Sequence, residues 1–291
     1  MQRRKVLKNI ALGTSAVMMA PYLSFSKESN NKNDLKLKGN INHSVSRWTF
    51  SYLSLDDLCK AVKEIGFKAI DLVGPKDWPT LQKHGIYSSM CYTAGDNNLY
   101  NGLANTAYQD KLIKEYLEVI PVMAKAGYKN LICFSGKRDG MDDETGFKNC
   151  TDALEKILPF AEKNGITMVM EILNSKVDHK DYMCNRVEWG AELCKRIGSA
   201  NLKLLFDIYH VQIQEGDIIR NIRDHHQYIA HYHTGGIPGR NEINNSQELY
   251  YPAVMKAIVA TGFKGYVAQE FIPTYPNKLD SLREAVKICD V

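Results

Sequence analysis

The sequence lacks a long hydrophobic run, a paired-cysteine motif and any low-complexity linker inside its main body. Its most apolar N-terminal stretch is too short and too mixed for a membrane-spanning helix. The seven cysteines form no C-x-x-C pair and no zinc-finger spacing, which argues against a disulfide framework and favours buried free thiols. No linker divides the chain after residue 40, so residues 41–291 are predicted to form one domain.

The first 26 residues have the composition of an export signal. Arg3 and Arg4 precede Lys5 and Lys8, and an uncharged segment follows as far as Ser26. A twin-arginine start before a short apolar segment is typical of exported proteins and predicts periplasmic localisation after cleavage. An uncleaved anchor or a disordered tail is the alternative. The polar residues 27–40 are expected to be a flexible lead-in.

The charge balance depends on this leader, which holds four basic residues and no acidic one. The full chain has 37 Lys and Arg against 33 Asp and Glu, a formal net charge of +4. Removal of the four leader cations leaves 33 residues of each sign, so residues 27–291 have a net charge of 0. Neither nucleic acid nor, after leader cleavage, a membrane is therefore an expected partner.

Apolar strand-like segments alternate with amphipathic helical patterns through the rest of the chain, and a glycine follows five of the helices. The predicted strands are 41–50, 68–73, 86–92, 131–134, 166–171, 202–207, 228–233 and 266–270. Eight strand–helix units of this length predict an α/β fold, the closed (β/α)8 TIM barrel. A doubly wound open sheet is the alternative, but it would not bring four consecutive strand ends around one point.

The last four predicted strands each end in a potential metal ligand: Glu171, Asp207, His233 and Glu270. In a closed barrel these side chains converge over the axis, where three neighbouring carboxylates repel one another unless a cation lies between them. Oxygen-rich ligation with one nitrogen favours one divalent ion, Mn²⁺, Mg²⁺ or Co²⁺, with Zn²⁺ as a further candidate. Each residue alone would be assigned a structural role, whereas four in register favour a metal site.

Five polar residues near these strand ends suggest the chemistry. Glu171 and Glu270, on opposite sides of a metal-held carbonyl and hydroxyl, could act as base and acid through an enediolate. His210 and Asn174 are candidates for substrate contacts, or for supporting a metal ligand. Arg240 lies in a glycine- and proline-rich loop and could bind a carboxylate or phosphate, or remain a solvated surface residue.

Three other histidines are expected to be structural. His225 and His226 fall at the end of a predicted helix, and His231 is assigned to the face of its strand that points away from the metal site. The loops after the first four strands are expected to shape the pocket, without a spacing argument for any residue. Their candidates are Arg47, Trp48, Asp71 and Tyr92.

Four segments resemble the hydroxypyruvate isomerases of the xylose isomerase-like TIM barrel superfamily of sugar isomerases and epimerases. They are 206–210 (FDIYH), 231–233 (HYH), 237–243 (IPGRNEI) and 266–270 (YVAQE), and the resemblance covers most of residues 41–291. It implies the same four metal ligands, the same pair of glutamates for acid–base chemistry, and substrate contacts from His210 and Arg240. His233 stands where these isomerases usually have glutamine, and histidine there is typical of ketose 3-epimerases.

The expected function is therefore a divalent-metal-dependent isomerase or epimerase of a small hydroxy-keto acid or keto-sugar. A lyase or dehydratase acting on a keto-sugar or an oxidised glycoside would share the enediolate, and stays open. An endonuclease of the same superfamily would need further His and Glu ligands and a basic face, which the neutral mature chain does not favour. A non-catalytic periplasmic sugar-binding barrel is a further alternative, and a homo-oligomer is compatible with the resemblance.

Overall fold

The structure, a computed structural model, describes residues 36–95 and 99–291, which form one compact unit. The predicted export signal (1–26) and residues 27–35 of the predicted lead-in lie outside the described residues. The remaining lead-in residues contact the far end of the chain, since the backbone N–H of Lys38 donates to the Asp290 carboxylate at 2.9 Å. Within the described ranges, no helix is long and apolar enough to cross a membrane.

Eight parallel strands form the inner ring. They are β1 (Asn42–Val45), β2 (Ala69–Ile70), β3 (Tyr87–Ser88), β4 (Asn130–Cys133), β5 (Thr167–Glu171), β6 (Leu202–Asp207), β7 (Ile229–Thr234) and β8 (Tyr266–Gln269). Six of them pair in the order β1-β8-β7-β6-β5-β4, and β2 pairs with β3. Single bridges between Ser46 and Asp71 and between Cys91 and Leu131 join the two sets. The ring is closed, and the predicted (β/α)8 barrel is confirmed.

The helices follow the strands in the chain, and the last one comes after β8. In the described residues they are α1 (Leu55–Ile65), α2 (Trp78–His84), α3 (Thr106–Ala126), α4 (Asp143–Lys163), α5 (Val187–Ile197), α6 (Ile208–Gln214), α7 (Ile218–His225), α8 (Tyr251–Ala260) and α9 (Lys278–Cys289). Their ends follow sequence signals, as in α1, where the Ser54 hydroxyl accepts from the N–H of Asp57 and Gly66 adopts a left-handed conformation. All seven cysteines are buried and free, as predicted.

Three features of the strand ends differ from the predictions. The first strand stops at Val45, because residues 48–50 form a 3-10 turn instead of continuing the strand. The second is interrupted at Leu72, whose φ of 53° is left-handed and breaks the ladder between Asp71 and Val73. Helix α6, absent from the predictions, begins directly after β6, where the Asp207 carboxylate accepts from backbone N–H groups of its first turn. Seven residues are too few for a visible helical period.

Candidate metal centre

The C-terminal ends of β5 to β8 bring the four predicted ligands together. Glu171 and Asp207 end their strands, His233 is the penultimate residue of β7, and Glu270 directly follows β8. One ligand atom from each residue lies within 4.8 Å of those of the other three, and all four residues are buried. The barrel therefore produces the convergence expected from the strand pattern.

The imidazole of His233 faces the three carboxylates with one nitrogen. Its Nδ1 lies 2.6 Å from Glu270 Oε2, 3.6 Å from Glu171 Oε1 and 3.9 Å from Asp207 Oδ2. This buried nitrogen has no well-aligned hydrogen-bond partner within the described chain. One imidazole nitrogen that faces three buried carboxylates fits the donor set of a divalent cation, which these four residues would hold.

A fifth residue, Asp71, supports the other side of the same ring. Its Oδ2 lies 2.8 Å from His233 Nε2, and its Oδ1 accepts a hydrogen bond from the Ser89 hydroxyl at 2.7 Å. A carboxylate behind an imidazole keeps the proton on the nitrogen that faces it, and directs the lone pair of the other nitrogen toward an ion. The sequence gives one indication that Asp71 has a special role, because it is the single charged residue in the apolar segment 69–73.

The predicted position of His231 is wrong. Residues two apart in a strand point to the same face, so His231 lies on the side of β7 that carries His233. Their ring centroids are 5.2 Å apart, and His231 Nε2 lies 2.9 Å from Asp71 Oδ1. His231 is thus a buried structural neighbour of the candidate centre. His225 ends α7 and His226 begins a 3-10 turn, as the sequence indicated.

Arg240 places a positive charge inside the acidic centre. Its Nη2 lies 2.9 Å from Asp207 Oδ2 and 2.5 Å from Glu270 Oε2, and its side chain is only 15% exposed. The alternative of a solvated surface arginine is therefore excluded. Glu270 also accepts a 2.6 Å hydrogen bond from the indole N–H of Trp48, which the sequence had suggested only as a pocket residue.

The loop that carries Arg240 is fixed by close backbone contacts. The N–H of Gly236 donates to the carbonyl of Asn241 at 2.9 Å, and a Cβ at Gly236 would lie 2.2 Å from the carbonyl oxygen of Glu242. Only glycine fits at that position. The Glu242 carboxylate accepts from the N–H and hydroxyl of Thr274, which ties the loop to the segment after β8.

Burial and neighbouring charges shift the pKa values of these groups in different directions. Burial raises the pKa of Asp207 to about 7 and also raises the pKa of Glu171. Burial acts in the same direction on Glu270, but the charges of His233 and Arg240 outweigh it and hold the pKa of Glu270 well below its usual value. For His233, burial favours the neutral form, yet the surrounding carboxylates raise its pKa well above normal.

His210 and Asn174 occupy different positions relative to the cavity. Burial, followed by the charge of Arg240, lowers the pKa of His210 well below its usual value, and its Nε2 accepts from Arg240 Nη1 at 3.1 Å. Asn174 is fully buried behind this ring, with Nδ2 2.6 Å from His210 Nδ1. Its Oδ1 accepts from the N–H groups of Val177 and Asp178. This position supports the alternative for Asn174, a supporting residue, and does not suit direct substrate contact.

A cavity of about 550 Å³ opens beside the centre. Its walls divide by strand. Most polar lining residues, Glu171, His179, His210, Arg240 and Glu270, belong to β5–β8 and the segments that follow them, whereas Arg47 and Ser51 follow β1. Residues of β2–β4 and their following loops contribute apolar or aromatic side chains, namely Leu72, Tyr92, Leu99, Ile132 and Phe134.

Comparison with known proteins gives a family match and several relatives. The model of the family described as "Xylose isomerase-like TIM barrel" matches residues 59–289. A 2-oxo-tetronate isomerase of Cupriavidus necator is 35% identical over 113 residues, which are 39% of this chain and 43% of the relative. A Mus musculus protein with hydroxypyruvate isomerase in its name is 24% identical over 245 residues, 78% of this chain and 87% of that protein. The match to the first relative thus spans less than half of its length.

Solved structures share the fold at low sequence identity. An AP endonuclease, family 2, from Brucella melitensis has a TM-score of 0.73 and 21% identity, over 82% of this chain and 95% of that one. The 3-keto-D-glucoside 4-epimerase YcjR from E. coli has a TM-score of 0.70 and 16% identity, over 85% and 98%. The IOLI protein with a bound zinc atom has a TM-score of 0.65 and 16% identity, over 86% and 95%. At these identities the likeness concerns the fold.

Proposed function

We propose, since the chain belongs to the xylose isomerase-like TIM barrel family, that it is a divalent-metal-dependent isomerase or epimerase of a small hydroxy-keto acid or keto-sugar. The observation that carries this proposal is the convergence of His233 Nδ1 with the buried carboxylates of Glu171, Asp207 and Glu270. The names of the curated relatives, 2-oxo-tetronate isomerase and hydroxypyruvate isomerase, support the reaction class. The zinc atom named for the IOLI protein shows that a protein of similar fold binds a metal ion.

The four ligand residues define what an ion would contribute. A divalent ion held by Glu171, Asp207, His233 and Glu270 would act as a Lewis acid on a substrate carbonyl. The remaining chemistry belongs to the protein. The four buried ligand residues lie beside the cavity, so a substrate would enter from the cavity side and meet most of its polar groups on the wall of β5–β8.

Glu171 and Glu270 are the two carboxylates that also line the cavity. We assign them the proton transfers: one carboxylate takes the proton from the carbon beside the carbonyl, and the other returns a proton to complete isomerisation or epimerisation. Trp48 donates to Oε1 of Glu270 and so fixes the orientation of this carboxylate. Arg240 and His210, which reach the cavity beside Glu270, would bind substrate oxygens.

Proton transfer is tested by solvent label. The full chain is incubated with Mn²⁺, Co²⁺ or Zn²⁺ and a panel of keto-sugars and hydroxy-keto acids in deuterated water. We expect product that carries solvent deuterium at the carbon next to the carbonyl. Glu171→Gln and Glu270→Gln should each abolish label exchange, while the matched control Glu64→Gln, on the exposed side of α1, should keep it. Product formed without solvent label would contradict the two-glutamate mechanism.

The same experiment separates the alternative reactions. A lyase would remove the same proton and then lose a substituent from the neighbouring carbon, so its product would lack water or an aglycone. A sugar-binding barrel would bind ligand in wild type and in both glutamine variants without product. An endonuclease would cleave abasic DNA, and cleavage by wild type but not by Glu171→Gln would replace the proposed function.

A further inference from the structure

The cavity beside the metal centre is much larger than a small hydroxy-keto acid requires. Its volume of about 550 Å³ lies within the range of about 300–1,000 Å³ found for pockets that enclose drug-sized ligands. Polar groups are concentrated on the wall of β5–β8. Since β2–β4 lie across the closed ring from β6–β8, a substrate held at the metal centre presents its far side to Leu72, Ile132 and Phe134.

The side chain of Leu72 lines the cavity from a backbone conformation that is energetically unfavourable for leucine. Leu72 has a φ of 53°, a left-handed conformation that is uncommon for residues other than glycine, asparagine and aspartate. Arg240 is the second cavity-lining residue with such a conformation, at a φ of 57°. Strained backbone persists at functional sites where surrounding structure maintains it. Leu72 and Arg240 thus mark the apolar and the polar side of one cavity.

The aromatic side chains of the cavity are also held in place. The ring of Tyr92 lies over Gly74. A Cβ at residue 74 would come within 2.5 Å of this ring, so only glycine at residue 74 leaves room for it. The indole of Trp48 is fixed by its bond to Glu270 and remains 44% exposed at the rim. Rings of this kind provide apolar faces for sugar rings and aglycones, with little loss of side-chain entropy.

The arginines that line the cavity are poorly placed to bind a phosphate group. The guanidinium of Arg47 donates to the carbonyls of Phe50 and Leu53, at 2.9 and 3.1 Å. Arg240 contacts Asp207 and Glu270. Both arginines that line the cavity among the described residues already contact protein acceptors, so neither offers its whole guanidinium fork to a phosphate. A neutral substrate suits this lining better than a sugar phosphate.

We propose that Leu72, Ile132 and Phe134 form an apolar subsite, and that the substrate is an unphosphorylated keto-sugar carrying an apolar substituent, such as an oxidised glycoside. This inference rests on the proposed function for the identity of the reacting group. The subsite itself concerns binding alone. Leu72 is its specificity-determining residue, because its side chain enters the cavity from a backbone conformation that glycine would adopt without strain.

Binding of unreactive glycosides tests the subsite independently of turnover. The probes are phenyl β-D-glucoside, methyl β-D-glucoside and glucose 6-phosphate, titrated calorimetrically into the Mn²⁺-loaded full chain. We expect the phenyl glucoside to bind at least about tenfold more tightly than the methyl glucoside, from the apolar area it buries. Leu72→Gly should reduce this ratio to between one and about three, with no loss of melting temperature, because the left-handed strain is relieved.

The matched control is Asp139→Gly, a substitution at an exposed left-handed residue that does not line the cavity. It should leave the ratio as in wild type. Equal binding of phenyl and methyl glucosides, no binding of either, a ratio unchanged in Leu72→Gly, or tighter binding of glucose 6-phosphate would each overturn the proposal. A phenyl preference that depends on Leu72, in a protein that turns over no keto-sugar, would keep the subsite and reject the proposed function.

Discussion

Asp71 Oδ2 lies 2.8 Å from Nε2 of His233, on the side of the ring away from the three ligand carboxylates. The two residues are 162 positions apart in sequence, and the closed ring alone brings them together. Asp71 is itself fully buried, and burial would raise its pKa, but the facing histidines His231 and His233 hold it well below the usual value. Asp71 is therefore a permanent anion beneath the candidate metal centre.

The first prediction concerns this positioning carboxylate. Asp71→Asn should weaken metal binding by about 10- to 100-fold, because an amide no longer fixes the Nε2–H tautomer of His233. Metal affinity is measured by competition with a coloured chelator, and circular dichroism checks that the variant is folded. Asp110→Asn on the exposed face of α3 is the control and should bind metal as wild type does. Wild-type affinity in Asp71→Asn would show that the contact is only structural.

The second prediction concerns pH. In the ion-free centre the raised pKa values of His233 and Glu171, and that of Asp207 at about 7, mean that protons are bound where an ion must bind. Metal binding has to release them, so apparent affinity should rise with pH, by about tenfold per pH unit for each proton released. Calorimetry in two buffers of different ionisation enthalpy counts these protons. A metal affinity that does not change between about pH 6 and pH 8 would contradict the assignment of these ligands.

The third prediction concerns Arg240, whose Nη2 contacts Asp207 and Glu270. Arg240→Met should increase metal affinity, by about tenfold, because a cation in a buried site no longer repels the ion. It should also raise KM strongly, since the guanidinium is assigned to substrate binding. Arg240→Lys should restore KM only in part, because a lysine has no planar fork. Arg223→Met, at an exposed position of α7, is the matched control. Weaker metal binding by Arg240→Met than by wild type would contradict the prediction that Arg240 repels the ion.

The fourth prediction concerns the anchor of the Arg240 loop. The Glu242 carboxylate accepts from the N–H and hydroxyl of Thr274 and from the hydroxyl of Ser281, at 2.6, 2.8 and 2.8 Å. Glu242→Gln removes the negative charge that accepts these hydrogen bonds, and a hydrogen bond to a charged group is about 1 kcal/mol stronger than a neutral one. The melting temperature should fall, and KM should rise through the displaced Arg240. Exposed Glu155→Gln should change neither. A lower melting temperature with an unchanged KM would limit Glu242 to a stabilising role.

The fifth prediction concerns export, which rests on residues 1–26 and lies outside the described residues. We propose that the twin-arginine segment directs the folded protein to the periplasm. Replacing Arg3 and Arg4 by lysines should leave the protein in the cytoplasm, whereas Lys5→Arg and Lys8→Arg together should not. Cell fractionation and the mass of the mature N-terminus measure both outcomes. A wild-type chain retained uncut in the cytoplasm would contradict the export signal.

Much of the fold and the ligand set follows from local sequence patterns. Apolar strands, helix caps and helix-ending glycines recur along the βα units. One predicted ligand lies at the C-terminal end of each strand from β5 to β8. Asp71 is a predicted pocket residue, but it does not line the cavity and instead contacts His233, which is brought near only by closure of the barrel. The predicted face of His231 is wrong, although the two-residue period of a strand is sufficient to place its side chain beside that of His233. Leu72 could not be foreseen, because its strain depends on tertiary contacts.

Metal content is the measurement that tests the central claim most directly. The purified full chain, loaded with Mn²⁺, Co²⁺ or Zn²⁺ and then desalted, is analysed by mass spectrometry of the elements beside the double variant Asp207→Ala/His233→Ala. The candidate centre predicts about one tightly held ion per wild-type chain and a nearly complete loss in the variant. A wild-type chain that retains none of the three metals, or a variant that retains as much as wild type, would contradict a metal centre at the ends of β5–β8.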